Sequence, residues 1–116
     1  MKNPVVHLEL CTGNLAAACA FYGRLFGWHP EKIDVGAASY FGLDLANSVE
    51  GGVVECENDR GLWLPYVEVT DIKGATLHAD ELGAAVTLPP REGPAGWRSV
   101  VSTPAGGDVA LWQPKR

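Results

Sequence analysis

From Val5 to Cys11 the chain alternates, with Val6, Leu8 and Leu10 to one side and His7, Glu9 and Cys11 to the other. That is the period of a strand with one apolar and one polar face. Thr12-Gly13-Asn14 breaks the pattern, and Asn14 is placed to cap a helix. Leu15, Ala18, Tyr22, Leu25 and Phe26 then recur at helical spacing as far as Gly27, a natural stop. Short extended runs follow at Trp28–Val35, Ala38–Leu43 and Gly52–Glu57, separated by Gly36, Asn47-Ser48 and Gly51. After a loop at Asn58-Asp59-Arg60-Gly61 comes a strand-like Leu62–Thr70 and a helix capped by Asp71, with Ile72, Ala75, Ala79 and Leu82 on one face and Gly83 as its stop. Ala84–Leu88, Trp97–Ser102 and Asp108–Gln113 read as strands, and Pro89–Gly96 reads as an irregular loop.

The order strand, helix, three strands therefore occurs twice. Shifting the chain by 57 places Asn14 on Asp71, Leu15 on Ile72, Ala18 on Ala75, Leu25 on Leu82, Gly36 on Gly93, Tyr40 on Trp97 and Val54 on Leu111. A shift of 59 places Leu8-Glu9-Leu10 on Val67-Glu68-Val69. Two βαβββ modules, one over about residues 4–58 and the other over about 62–114, are each too small to bury a core alone, so a single α+β domain over 1–116 is expected.

Composition narrows the function classes. With 116 residues, a formal net charge of -5 and no basic run, the chain is a poor partner for nucleic acid or an anionic membrane. Its 47% hydrophobic content excludes disorder, and no apolar stretch reaches transmembrane length. Met1-Lys2-Asn3-Pro4 runs directly into a strand, without the look of a signal peptide, and a cytoplasmic location is expected. Cys11, Cys19 and Cys56 are an odd number at wide spacing, with no CxxC pair. Buried free thiols in a reducing compartment are the expectation.

The segments His7-Leu8-Glu9-Leu10, Phe21-Tyr22 with Leu25-Phe26-Gly27-Trp28, Tyr66 to Ile72, and Thr103-Pro104-Ala105-Gly106-Gly107 with Ala110-Leu111-Trp112 resemble the vicinal oxygen chelate superfamily of glyoxalase I, bleomycin-resistance proteins and extradiol dioxygenases. The resemblance spans essentially the whole chain. It implies two βαβββ modules curling a mixed sheet into a cup that holds a small molecule, and a homodimer. It also implies, in metal-dependent members, four donors on the cup faces of the first and last strands of each module. Matched to this chain, those positions are His7, a residue near Glu55, Leu64 and Ala110. Leu64 and Ala110 carry no donor, and a divalent ion needs three or four. No cofactor is therefore expected; were a divalent metal bound, His7 and Glu55 are the matching donors.

The candidate chemistry follows from these positions. His7 and Glu9 are two apart on one strand and share a face, and Glu68 is the repeat partner of Glu9, with Tyr66 beside it. A carboxylate in an apolar cup can act as general acid or base, which makes Glu9 and Glu68 the catalytic candidates; a symmetric structural pair of glutamates is the alternative. Tyr66, Trp97, Trp112, Ala110, Leu64 and His7 are the expected ligand-binding lining, suited to a flat apolar or basic molecule, whereas Phe21, Tyr22 and Phe26 read as core. Arg60, Arg91 and Arg98 are either carboxylate grips at the rim or plain surface residues, and Pro89–Gly96 either a lid or a rigid turn. The function expected is binding of a small apolar or aromatic molecule without the usual metal site, as in bleomycin-resistance proteins. The alternative is a lyase, isomerase or dioxygenase-like enzyme using His7 with Glu9, Glu55 or Glu68.

Overall fold

The computed structural model describes residues 3–35, 38–45, 49–56 and 61–115. The expected turns at Gly36, Asn47-Ser48 and Asn58-Asp59-Arg60, and with them Arg60, lie outside the described residues, as do the side chains of residues 34, 35 and 38–40, Tyr40 among them. The elements are β1 (Val5–Thr12), α1 (Leu15–Phe26), β2 (Glu31–Val35), β3 (Ala38–Asp44), β4 (Glu50–Glu55), β5 (Leu62–Glu68), α2 (Ile72–Glu81), β6 (Ala85–Glu92), β7 (Gly96–Ser102) and β8 (Asp108–Pro114). The βαβββ order occurs twice, and the fold is α+β. Two compact units form, one from His7–Leu64 and the other from the residues up to Val6 with those from Pro65 onward.

In the first unit the strand order is β2-β3-β4-β1, with β1 parallel to β4 and the other neighbours antiparallel. Asn14 caps α1 by accepting the Ala17 amide on Oδ1 at 3.0 Å. Gly27, at φ 74°, closes the helix by donating its N–H to the Gly23 carbonyl at 2.9 Å. That left-handed backbone favours glycine, which explains the stop. Leu10, Leu43 and Val53 form the buried core, with Leu15, Ala18, Tyr22, Trp28, Phe41 and Trp63 packed against them. Trp28 was expected to begin a strand; instead β2 starts at Glu31 and the indole of Trp28 stacks on Tyr22, centroids 5.7 Å apart, with Trp63 edge-on to both. Burying its large ring outweighs extending the strand.

The second unit repeats the order as β6-β7-β8-β5, with β5 parallel to β8. Asp71 accepts the Gly74 amide at 3.2 Å to cap α2. Here the helix is held by polar contacts: Thr76, buried, donates to the Ile72 carbonyl at 2.6 Å, and its Oγ1 lies 2.8 Å from Oγ of Ser99, which is fully buried. The Ile72 amide donates to Oε1 of Gln113 at 2.8 Å. These contacts fix the helix-facing side of the sheet as the one carrying Ser99 and Gln113.

Two expectations are corrected. Pro89-Pro90-Arg91-Glu92 is not loop but the end of β6, with only residues 93–95 left as the turn before β7. β6 is the last strand in its order and its pairing slips between Val86 and Leu88 and between Leu88 and Arg91. Both prolines fall in the stretch between Leu88 and Arg91 where the register shifts, and an edge strand tolerates proline where its ladder is already interrupted. The cysteines are not all free: Cys11 and Cys56 form a disulfide, Cα atoms 5.8 Å apart, and Cys19 alone is a thiol. Parallel pairing of β1 with β4 sets Thr12 opposite Glu55 and thereby brings Cys11 near Cys56, a proximity that linear spacing hides.

Candidate functional site

Register assigns each candidate to a face. In the first unit β1 pairs with β4 as His7 with Glu50, Glu9 with Gly52 and Cys11 with Val54, while Leu10 pairs with Val53 and Thr12 with Glu55. Leu10 and Val53 pack under α1, so His7, Glu9 and Cys11 occupy the face away from the helix. His7 Nε2 lies 3.6 Å from Glu9 Oε1, with side chains 21% and 16% exposed. They form an ion pair whenever the imidazole is protonated. Glu55 stands on the opposite, helix-facing side. There it lines an open depression of about 510 Å³ with Leu15, Ala16, Cys19, Pro30 and Phe41. Burial pushes the Cys19 thiol up from its ordinary pKa. Glu55 and His7 are thus separated by the thickness of the sheet, and the expectation that they could hold a metal together is corrected.

In the second unit the face away from α2 carries a cross-strand row. Arg98 on β7 pairs with Trp112 on β8, and Trp112 pairs with Glu68 on β5. In the next row Val100 pairs with Ala110 and Ala110 with Tyr66. Arg98 Nη1 donates to the Tyr66 hydroxyl at 3.0 Å, and the Tyr66 and Trp112 rings lie 6.3 Å apart at 56°. The Trp112 indole rests over Gly96: a Cβ there would meet Cζ2 and Cη2 at 2.8 and 2.9 Å. Tyr66 and Ala110 are buried, while Glu68, Arg98 and Trp112 are half-buried. Tyr66, Trp112, Ala110 and Glu68 therefore share one face, as alternation along the strands predicts.

Trp97 does not join them. It pairs with Gln113, whose side chain binds the α2 N-terminus, so Trp97 belongs to the helix-facing side. Leu64 is half-buried on β5 in the first unit. Arg98 was only one of three arginines considered in the sequence. Its alternation with Ser99 and Val100 could not be phased before the Thr76–Ser99 contact showed which side the helix covers.

The residues present do not fit the four-donor metal site that the resemblance implies. Leu64 and Ala110 offer no donor, Glu55 faces away from His7, and among the described residues no three His, Cys, Asp or Glu side chains gather closely enough to hold an ion. Nor is any described helix long and apolar enough to cross a membrane.

Comparison with known proteins agrees with this architecture. The chain is 28% identical over 117 residues to the protein named "Putative glyoxylase CFP32" of Mycobacterium bovis, covering 94% of this chain and 45% of that protein. The same figures hold for its Mycobacterium tuberculosis counterpart. The chain thus spans about half the length of these curated relatives. Among solved structures, hypothetical protein BH1468 from Bacillus halodurans superposes with a TM-score of 0.73 at 12% identity, over 100% of this chain and 97% of that one. Methylmalonyl-CoA epimerase from Mycobacterium tuberculosis gives 0.64 at 14% identity, over 97% and 88%. At such identities the likeness shows the fold alone. The family model for the Glyoxalase/Bleomycin resistance protein/Dioxygenase superfamily matches residues 5–111, and the chain belongs to that superfamily.

Proposed function

We propose that this protein binds a flat, largely apolar small molecule against the face of the second unit that carries Trp112 and Tyr66, without the metal site found in metal-dependent members. The observation that carries this reading is the cluster itself. Trp112 is half-buried rather than enclosed, its indole is seated over Gly96, and Tyr66 beside it is held through its hydroxyl by Arg98. A pre-positioned aromatic ledge suits stacking, because little side-chain freedom remains to be lost on binding. Ala110, fully buried in the neighbouring row, supports packing where the family places a donor. A homodimer, expected from the resemblance, is retained in this reading.

Titration calorimetry with a panel of aromatic compounds, alongside metal analysis of untagged protein, tests it. Saturable binding that W112A weakens strongly, in metal-free protein, is the expected result. Binding that requires added Ni²⁺, Mn²⁺, Zn²⁺ or Fe²⁺ overturns it.

One observation favours a second reading, an isomerase or lyase. His7 and Glu9 lie 3.6 Å apart on the helix-free face of the first unit, a pair able to hold and move a proton. Glu55, on the other face, leaves that reading; Glu9 and Glu68 remain in it. If E9Q and E68Q retain the turnover found with any accepted substrate, that reading fails. The cytoplasmic expectation now has to accommodate the Cys11–Cys56 bond, which a reducing compartment does not favour. Thiol counting on protein trapped directly from cells decides between the two.

A further inference from the structure

Each helix meets its own sheet through four corresponding positions. Counted from the caps Asn14 and Asp71, Leu15 and Cys19 on α1 take the places of Ile72 and Thr76 on α2. Phe41 pairs with Val53 on β4 as Ser99 pairs with Leu111 on β8, so Phe41 and Glu55 take the places of Ser99 and Gln113. In the second unit hydrogen bonds join the four: the Ile72 amide donates to Gln113, and Thr76 bonds both the Ile72 carbonyl and Ser99. In the first unit the same four positions line the open depression of about 510 Å³. Phe41 has no hydroxyl to offer the helix, and the short side chains of Ala16 and Cys19, three apart on one flank of α1, leave the space beside its ring unfilled.

The lining is apolar apart from one charge. Leu15, Ala16, Pro30 and Phe41 supply its walls. The side-chain oxygen of Asn14 is taken by the Ala17 amide. The Cys19 thiol, pushed up from its ordinary pKa by burial, adds no charge near neutrality. Lys32, opposite Phe41 on β2, is not part of the lining. Among the described residues Glu55 is thus the one charged group of the lining, and its carboxylate holds no ion pair, whereas those of Glu81 and Glu92 are paired with His78 and Lys115. The α1 N-terminus beside it offsets at most about half a charge. A hollow of this size admits a small organic molecule.

We infer that the depression between α1 and Phe41 is a second binding site, which takes an organic cation: an ammonium group on Glu55, with an apolar or aromatic body on Phe41, Pro30 and Leu15. The Phe41 ring serves both parts, because an aromatic face attracts a cation as well as apolar carbon. The site belongs to the first unit and uses no residue of the Trp112 ledge, so it goes beyond the reading above and stands or falls apart from it.

The test uses the full chain and two probes of nearly equal shape, 2-phenylethylammonium and 2-phenylethanol. Alkylation of Cys19 by iodoacetamide reports binding at this place. The ammonium is expected to slow that alkylation saturably, with an apparent affinity about fivefold tighter than that of the alcohol. E55Q, at an exposed position, is expected to bring the ammonium down to the affinity of the alcohol and to leave the alcohol unchanged. E50Q removes an equal charge from the other face of β4, where Glu50 pairs with His7, and is expected to alter neither affinity. The preference for the ammonium is expected to shrink as salt is raised, and W112A is expected to leave it intact. Alkylation that the ammonium does not slow overturns the site. A preference that survives E55Q, or that E50Q removes equally well, also overturns it, because the general field of an acidic chain would then be its cause.

Discussion

The two units share one plan and hold it by different means. In the first, α1 has no fully buried residue, and Phe21, Leu25 and Phe26 are each more than half exposed. It is seated through Leu15, Ala18 and Tyr22 on Leu10, Leu43 and Val53 and through the aromatic cluster of Tyr22, Trp28 and Trp63, while on the opposite face the Cys11–Cys56 bond ties β1 to the residue after β4. In the second, α2 buries Ile72 and Thr76 and is pinned by hydroxyl and amide contacts to Ser99 and Gln113. Large rings tolerate loose fit and leave apolar surface exposed. A buried hydroxyl pair demands an accurate seat and leaves no slack. The helix-free faces differ in the same way: one carries a His–Glu pair and a disulfide, the other an aromatic ledge with Arg98. A repeated backbone plan therefore sets where a site can be, and the side chains of each copy set what it can do.

Breaking the disulfide separates the two designs most sharply. The bridge spans 45 residues, and chain-entropy arguments give it about 4 kcal/mol. The C11S/C56S variant is expected to lose stability on that scale in urea unfolding, with hydrogen exchange rising in β1 and β4 while β7 and β8 keep their protection.

The second unit is best probed through its close fit. In G96A a methyl would press on the Trp112 indole and on the Gln113 carbonyl. Overpacking of this kind is expected to cost up to about 3 kcal/mol and to shift Trp112 fluorescence. An unchanged emission spectrum would show that the ring does not rest there.

A smaller effect distinguishes the two hydroxyls. Thr76 donates to the Ile72 carbonyl, so Ser99 supplies the proton between the pair. T76V strands a buried donor and is expected to cost about 2 kcal/mol; S99A leaves the Thr76 donor satisfied and is expected to cost less. The reverse order in thermal unfolding would reassign the donor.

The least energetic test is chemical. Without reductant one cysteine per chain is expected to react with iodoacetamide, and after reduction and unfolding all three. The reacting species is the thiolate. Because burial raises the folded Cys19 pKa, the native rate is expected to reach half its maximum at a higher pH than in the unfolded chain. At mildly alkaline pH, native Cys19 is therefore the slower to react.

What the amino-acid order alone determined is local: α1 over Leu15–Phe26, the Asn14 and Asp71 caps, the glycine stop, the doubled βαβββ plan and the superfamily itself. Caps, helical periodicity and turn residues act within a few positions and can be read where they stand. The face of each strand residue was legible only in part. Alternation correctly grouped His7 with Glu9, and Tyr66 with Trp112. The 57-residue shift, however, equated Val54 with Leu111, and the structure puts Val54 on the helix-free face and Leu111 on the helix-facing one. A slip of one residue inverts a strand, and only pairing fixes the count. The same cause hid the place of Glu55 under α1, the side taken by Trp97 and the Cys11–Cys56 bond. Each depends on which residue of a distant strand lies opposite. Those are decisions of the tertiary structure, because register is settled by the combined packing of a whole sheet against its helix and by no residue alone.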